Sequence, residues 1–132
     1  MIREASCRCG KLKAACRGEP ARVSICHCLA CKKRSGSAFS YNATYAADQV
    51  ETSGESLTFE RTGEEGYWAR DSFCPGCGSI VFYEIQRRPG MISVPVGLFA
   101  DPEFPEPRFS IYEVSRHRWL RVEPEGPIEH WG

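Results

Sequence analysis

Between Phe39 and Ala46 the residues Phe39, Tyr41, Ala43 and Tyr45 recur at a spacing of two, with Ser40, Asn42 and Thr44 in the positions between them. Successive side chains of an extended chain point to opposite faces, so the run predicts a strand with one apolar face packed into a core. Short apolar or alternating runs bounded by Gly, Pro and polar clusters predict further strands near Leu12–Arg17, Val23–Cys26, Ser56–Arg61, Tyr67–Phe73, Ser79–Glu84, Ile92–Gly97 and Ser110–Val114. Pro89-Gly90 then forms the turn of a hairpin between two of these. Pro95 has no amide hydrogen to give a ladder, which moves the strand containing it toward a sheet edge. Helix is scarce. One short helix or turn runs from Leu29 to Lys33 and stops at Ser35-Gly36, and a second is expected at Asp101-Pro102-Glu103-Phe104, with Asp as cap and Pro in the first helical position. The class expected is mainly β.

Length changes the picture only by limiting it. A chain of 132 residues supports one domain, and no linker divides it. The domain spans residues 1–132, with its core over about 2–122 and an extended C-terminal arm over 123–132, where Pro124 and Pro127 fall. Lys plus Arg and Asp plus Glu both number 17, so the chain is no polyelectrolyte and nucleic acid is not the expected partner. The first residues carry charge with no apolar run behind them, and no stretch reaches the roughly 20 apolar residues of a membrane span. The expected setting is the cytoplasm, without membrane attachment, where thiols stay reduced and paired cysteines are metal ligands more often than disulfides.

The chemistry lies in the cysteines. Seven of the eight fall in three tight clusters: Cys7-Arg8-Cys9-Gly10, Cys26-His27-Cys28-Leu29-Ala30-Cys31 and Cys74-Pro75-Gly76-Cys77-Gly78. Cysteines one or two residues apart present two sulfurs to one ion from a single turn, and zinc takes four tetrahedral ligands. Seven thiols imply two zinc ions per chain, one with a closed shell and one with three protein ligands and an open fourth position, as catalytic zinc sites have. The trailing glycines of the first and third clusters pair those two, although residues 10–73 lie between them. A zinc ribbon joining Cys28 and Cys31 to Cys74 and Cys77 is the rival arrangement, across the 42 residues from 32 to 73. Cys16 stands alone on a strand as a small core residue, or closes the second site. His27 alternates away from Cys26 and Cys28, which points to a polar contact or a role near bound substrate rather than ligation. Lys32, Lys33 and Arg34 follow the ligands directly. They suit a solvated helix end, and they also offset the charge of a three-thiolate site and attract an anionic thiol.

These residues resemble the glutathione-dependent formaldehyde-activating family, which includes centromere protein V. The likeness rests on the three clusters, on Lys32 to Ser37 after the second, on Pro89-Gly90-Met91-Ile92-Ser93-Val94 and on Ser115-Arg116-His117-Arg118-Trp119-Leu120. It implies a folded-over β-sheet, resembling a tent, stapled by a structural zinc on Cys7, Cys9, Cys74 and Cys77. It also implies a catalytic zinc on Cys26, Cys28 and Cys31, and a carbon–sulfur lyase reaction joining glutathione, or a similar small-molecule thiol, to a small aldehyde such as formaldehyde. The adduct is S-(hydroxymethyl)glutathione. An open three-thiolate zinc suits that chemistry, since the metal favours the thiolate of an incoming thiol. His27 is the nearest candidate in sequence for a general acid. The alternative function is a non-catalytic zinc module whose β surface docks a protein.

Overall fold

The alternating run forms the strand β4 (Ser40–Ala46), and both of its faces are buried. Ala43 and Tyr45 have no exposed surface and enter a core cluster with Val23, Val81, Val94 and Phe99. On the other face Ser40, Asn42 and Thr44 are buried as well. Hydrogen bonds compensate their burial: the Asn42 amide donates to Ser40 Oγ at 2.9 Å, and Thr44 Oγ1 lies 2.8 Å from Ser93 Oγ.

The computed structural model describes all 132 residues. Before β4 come β1 (Ile2–Ser6), β2 (Lys13–Arg17), β3 (Arg22–Cys26) and the helix α1 (Leu29–Ser35). After it come β5 (Val50–Ser53), β6 (Leu57–Thr62), β7 (Trp68–Phe73), β8 (Ile80–Ile85), β9 (Met91–Pro95), β10 (Phe109–Ile111) and β11 (Glu129–His130). The class is mainly β, and the strands divide over two sheets. Eight form the order β11-β10-β3-β4-β9-β8-β7-β6, and three form β1-β2-β5. Small side chains at Ala5 and Ala14 let the lesser sheet lie close against the larger, so that Leu12 and Cys16 join the same core as Tyr45 and Val94. No helix is long and apolar enough to cross a membrane.

Cross-strand partners set a second, polar row on the face away from that core. Thr44 stands opposite Ser93, Ser93 opposite Tyr83, Tyr83 opposite Asp71, and Asp71 opposite Phe59. Residues directly opposite share a face, so the row runs from β4 to the free edge at β6. A register shift between Ser72 and Phe73 breaks the alternation on β7 and β8, which puts Val81 in the apolar core although Tyr83 lines the polar row.

Two local expectations fail. The strand holding Pro95 is not at an edge: β9 lies between β4 and β8. Pro95 is its last residue and pairs with Asn42, whereas β8 meets β9 only through Tyr83 and Ser93, so the missing amide interrupts no ladder. The second helix is a turn, in which the amides of Phe104 and Glu103 donate to the carbonyl and side chain of Asp101 at 3.1 and 2.9 Å. Pro105 disfavours the helical region at Phe104 and stops the turn there.

Candidate metal centres and active site

The loop after β1 carries Cys7 and Cys9, and the turn after β7 carries Cys74 and Cys77; all four sulfurs lie within 4.8 Å of one another. Each segment is shaped by a tight turn closed on glycine, with Gly10 N donating to Cys7 O at 3.0 Å and Gly78 N to Cys74 O at 2.8 Å. Both glycines have positive φ, 82° and 79°, which other residues adopt at a cost. Amides point at the sulfurs: Leu12 N is 3.2 Å from Cys7 Sγ and Gly76 N 3.3 Å from Cys74 Sγ. Cys9 Sγ lies 3.6 Å from both Cys7 Sγ and Cys74 Sγ. A tetrahedral ion with bonds of about 2.3 Å to sulfur needs edges of about 3.7 Å, so the cluster fits zinc in spacing and in donor type. The Ser79 hydroxyl and then its amide stabilise the Cys77 thiolate, bringing that thiol down to about 5.

Cys26, Cys28 and Cys31 form the second group, again with all sulfurs within 4.8 Å. Cys26 ends β3. Cys28 caps α1, its sulfur accepting from Cys31 N at 3.3 Å, so one helical turn stacks the sulfurs of Cys28 and Cys31 on one side. Hydrogen bonds from Cys26 and then Cys31 bring Cys28 down to about 2, while Cys28 and then Cys31 drive Cys26 up. Cys26 is buried and Cys28 and Cys31 partly so, and a cation among the three sulfurs would favour the ionised form of all of them. No histidine, carboxylate or fourth cysteine joins them within the same radius. The ribbon pairing is excluded, because Cys28 and Cys31 lie in a different group from Cys74 and Cys77. Cys16 is wholly buried in the core on β2, and burial pushes its thiol up to about 11.

His27 is buried and turned to the other side of β3. Its Nε2 lies 3.1 Å from Ser110 Oγ on β10; that hydroxyl donates to Glu113 Oε2 at 2.6 Å, and His130 Nδ1 lies 2.7 Å from the same oxygen. A serine has one proton. With it given to Glu113, the contact to His27 requires Nε2–H, and Nδ1 is left as a buried lone pair without a partner. Burial lowers the His27 pKa and keeps the ring neutral. A cavity of about 300 Å³ lies on this side, lined by His27, Ser110, Glu113, Arg116 and His130 among others, and includes none of the three sulfurs.

Burial opposes ionisation of Glu113, but the bonds from His130 and Ser110 outweigh it and hold the carboxyl below its ordinary 4.5. A depressed carboxyl contributes stability that is present above its unfolded value and lost as pH falls through the folded one. We therefore expect β11 to loosen from β10 below about pH 4.5, at a cost of about 1–2 kcal/mol for a charged hydrogen bond. Hydrogen exchange at Trp131 N, which bonds Ser110 O, reads it. The acid-side loss should vanish in Glu113→Gln.

The three cations after the cysteines separate. Lys32 donates to the carbonyl of Ser115, and Lys33 is exposed. Arg34 turns to the sulfur side: Nη2 donates to Asn42 Oδ1 at 3.1 Å and the guanidinium stacks 3.9 Å from the Tyr83 ring centre. Burial works against its charge, but Tyr83 and Cys31 hold its pKa up. Three further residues converge here that sequence reasoning missed. Arg61 of β6 favours the Cys28 thiolate, Asp71 of β7 faces Arg34, Arg61 and Cys31, and Tyr83 supplies the stacking surface. Only the pairing of β6, β7 and β8 brings them to the cysteines, and nothing local in the sequence signals it.

A two-sheet β domain with a four-sulfur group joining distant turns and a three-sulfur group at a strand end defines a class of cysteine-clustered β domains that could hold two metal ions. The chain belongs to the family described as glutathione-dependent formaldehyde-activating enzyme, whose sequence profile matches residues 2–115. A crystal structure of a Rhodobacter sphaeroides protein shares the fold, with TM-score 0.59 and 18% identity over 98% of this chain and 99% of that one. No curated protein matches the sequence significantly.

Proposed function

We propose that the protein is a zinc-dependent carbon–sulfur lyase that makes or cleaves the adduct of glutathione, or a similar small thiol, with a small aldehyde such as formaldehyde. Membership of the family supports the thiol and the aldehyde. The observation that carries the reading is the three-sulfur group with no fourth protein ligand, beside the partly buried Arg34 guanidinium. In this reading Cys7, Cys9, Cys74 and Cys77 hold a structural zinc, and Cys26, Cys28 and Cys31 a catalytic one. Bound zinc would supply a cation that favours the thiolate form of an incoming thiol.

The chain's own residues do the rest. Arg34, fixed by Asn42 and Tyr83, offsets the negative charge gathered when a thiolate joins three others. Arg61 of β6 adds to this by favouring the Cys28 thiolate. Lys32, bonded to the carbonyl of Ser115, and the exposed Lys33 add long-range attraction for an anionic thiol. His27, held by Ser110, fixes the backbone between Cys26 and Cys28 from behind. In the forward direction the thiol sulfur bonds to the carbonyl carbon, the C=O π pair moves to oxygen, and that oxygen takes a proton. The reverse step returns thiol and aldehyde. Reduced thiols suit the cytoplasm, where we place the protein.

Cobalt substitution followed by thiol titration tests the reading. Glutathione should raise sulfur-to-cobalt charge-transfer absorption, and S-methylglutathione, which has the same charged groups but no ionisable thiol, should bind at least about tenfold more weakly in calorimetry. Equal affinity without the absorption band would return the protein to the non-catalytic zinc module.

A further inference from the structure

We propose that Asp71, Arg34 and Arg61 form a recognition site for an α-amino acid head group, ammonium and carboxylate together, on the thiol that the three-sulfur centre receives. The proposal rests on the thiol-binding reading above and names which thiols are selected. Strand register places the residues. Asp71 stands opposite Tyr83, and Arg34 stacks on that tyrosine, so the carboxylate and the guanidinium adjoin one ring. On the far side Asp71 stands opposite Phe59, and Arg61 lies two positions along the same face of β6.

The charges are near one another and yet not closed. Asp71 is half-buried and feels both guanidiniums and Cys31, but it makes no ion pair within 4.0 Å and no hydrogen bond, whereas the Arg70, Arg87 and Arg3 pairs of this chain do close. A carboxylate that stands beside two guanidiniums and closes on neither is free to take a cation from an incoming ligand. Arg34 is held back by Asn42 and Tyr83, so it cannot swing onto Asp71 without giving up both contacts. The arrangement presents one anion and two cations, none of which closes an ion pair with another within 4.0 Å. An amino acid head group carries the complementary charges, one ammonium for Asp71 and one carboxylate for the guanidiniums. The exposed ring of Phe59 at the edge offers an apolar rim beside it. A plain carboxylate thiol would satisfy the arginines and leave Asp71 unpaired, and an aminothiol would do the reverse.

The probes are glutathione, S-methylglutathione and the N-acetyl derivative of each, measured on the zinc-loaded protein by calorimetry and ligand-observed NMR. N-acetylation removes the ammonium and should weaken binding to the wild type about tenfold for both parent compounds. In Asp71→Asn, which preserves volume, acetylation should have almost no effect. Arg61→Gln, on the exposed edge strand, should weaken all four compounds together and leave the acetylation penalty in place. An acetylation penalty equal in wild type and Asp71→Asn overturns the head-group site while leaving thiol capture intact. If S-methylglutathione shows the Asp71-dependent penalty but glutathione gives no charge-transfer band on cobalt, thiol capture fails and the head-group site stands. If no compound binds, both fall.

Discussion

Replacing Cys74 with serine is expected to unfold the domain, whereas replacing Cys28 should leave it folded and short of one metal ion. Cys74 is buried in the main core, and its sulfur belongs to the only centre that joins the β1–β2 turn to the β7–β8 turn. A structural zinc contributes roughly 10 kcal/mol to folding, which is comparable to the whole stability of a domain of this size. Cys28, Cys26 and Cys31 lie within one short segment, so losing their ion frees no distant contact, and β3 remains paired on both sides with β4 and β10. Circular dichroism, thermal melting and metal content measured together decide it. Equal loss of structure in the two variants would mean that the centres do not divide their roles in this way.

The second large effect is expected at Gly54. It has φ of 100°, and a Cβ added there would stand 2.0 Å from the carbonyl oxygen of Lys11 and 3.1 Å from Cα of Leu12. No rotamer change relieves a clash with backbone. The loop that must move carries Leu12 N, the amide directed at Cys7 Sγ. Gly54→Ala should therefore lose about 3 kcal/mol and lower the melting temperature by roughly 10 °C. It should also weaken metal retention at the four-cysteine centre and spare the three-cysteine centre. Gly10→Ala is the control: its φ is also positive, but nothing lies within 4 Å of the added carbon, so its cost should be nearer 1 kcal/mol. Similar melting temperatures for the two variants would refute the importance of the close approach.

The parts of the molecule that local pattern determines were legible from the chain. β4 has strict alternation, α1 ends at a positive-φ glycine, and Gly10 and Gly78 close the cysteine turns, so each announces itself within a few residues. β1, β5 and β11 were not legible. Val50-Glu51-Thr52-Ser53 and Glu129-His130 bury no residue and are strands only because β2 and β10 offer them edges. The same physics hid part of the candidate site. Lys32, Lys33 and Arg34 are equivalent in sequence, and the direction of each is set by what α1 packs on: a carbonyl at Ser115 for Lys32, Asn42 and Tyr83 for Arg34. Asp71 and Arg61 sit in unremarkable polar strands, and their nearness to Cys31 and Cys28 comes from three long-range strand pairings. The polar face of β4 is buried as well as the apolar one, with Arg34 of α1 bonded to Asn42 and Ser93 of β9 to Thr44, contacts that no local pattern announces.

The two centres also differ in when they can assemble. During synthesis Cys9 emerges 65 residues ahead of Cys74, its neighbour at 3.6 Å in the finished protein. At about 5–20 residues per second that interval lasts roughly 3–13 seconds. Cys26, Cys28 and Cys31 emerge almost together and need only one helical turn to converge. On a translating ribosome the sulfurs of Cys26, Cys28 and Cys31 can thus converge first, and the thiols of Cys7 and Cys9 wait, open to oxidants, until the second half of the chain arrives to enclose them.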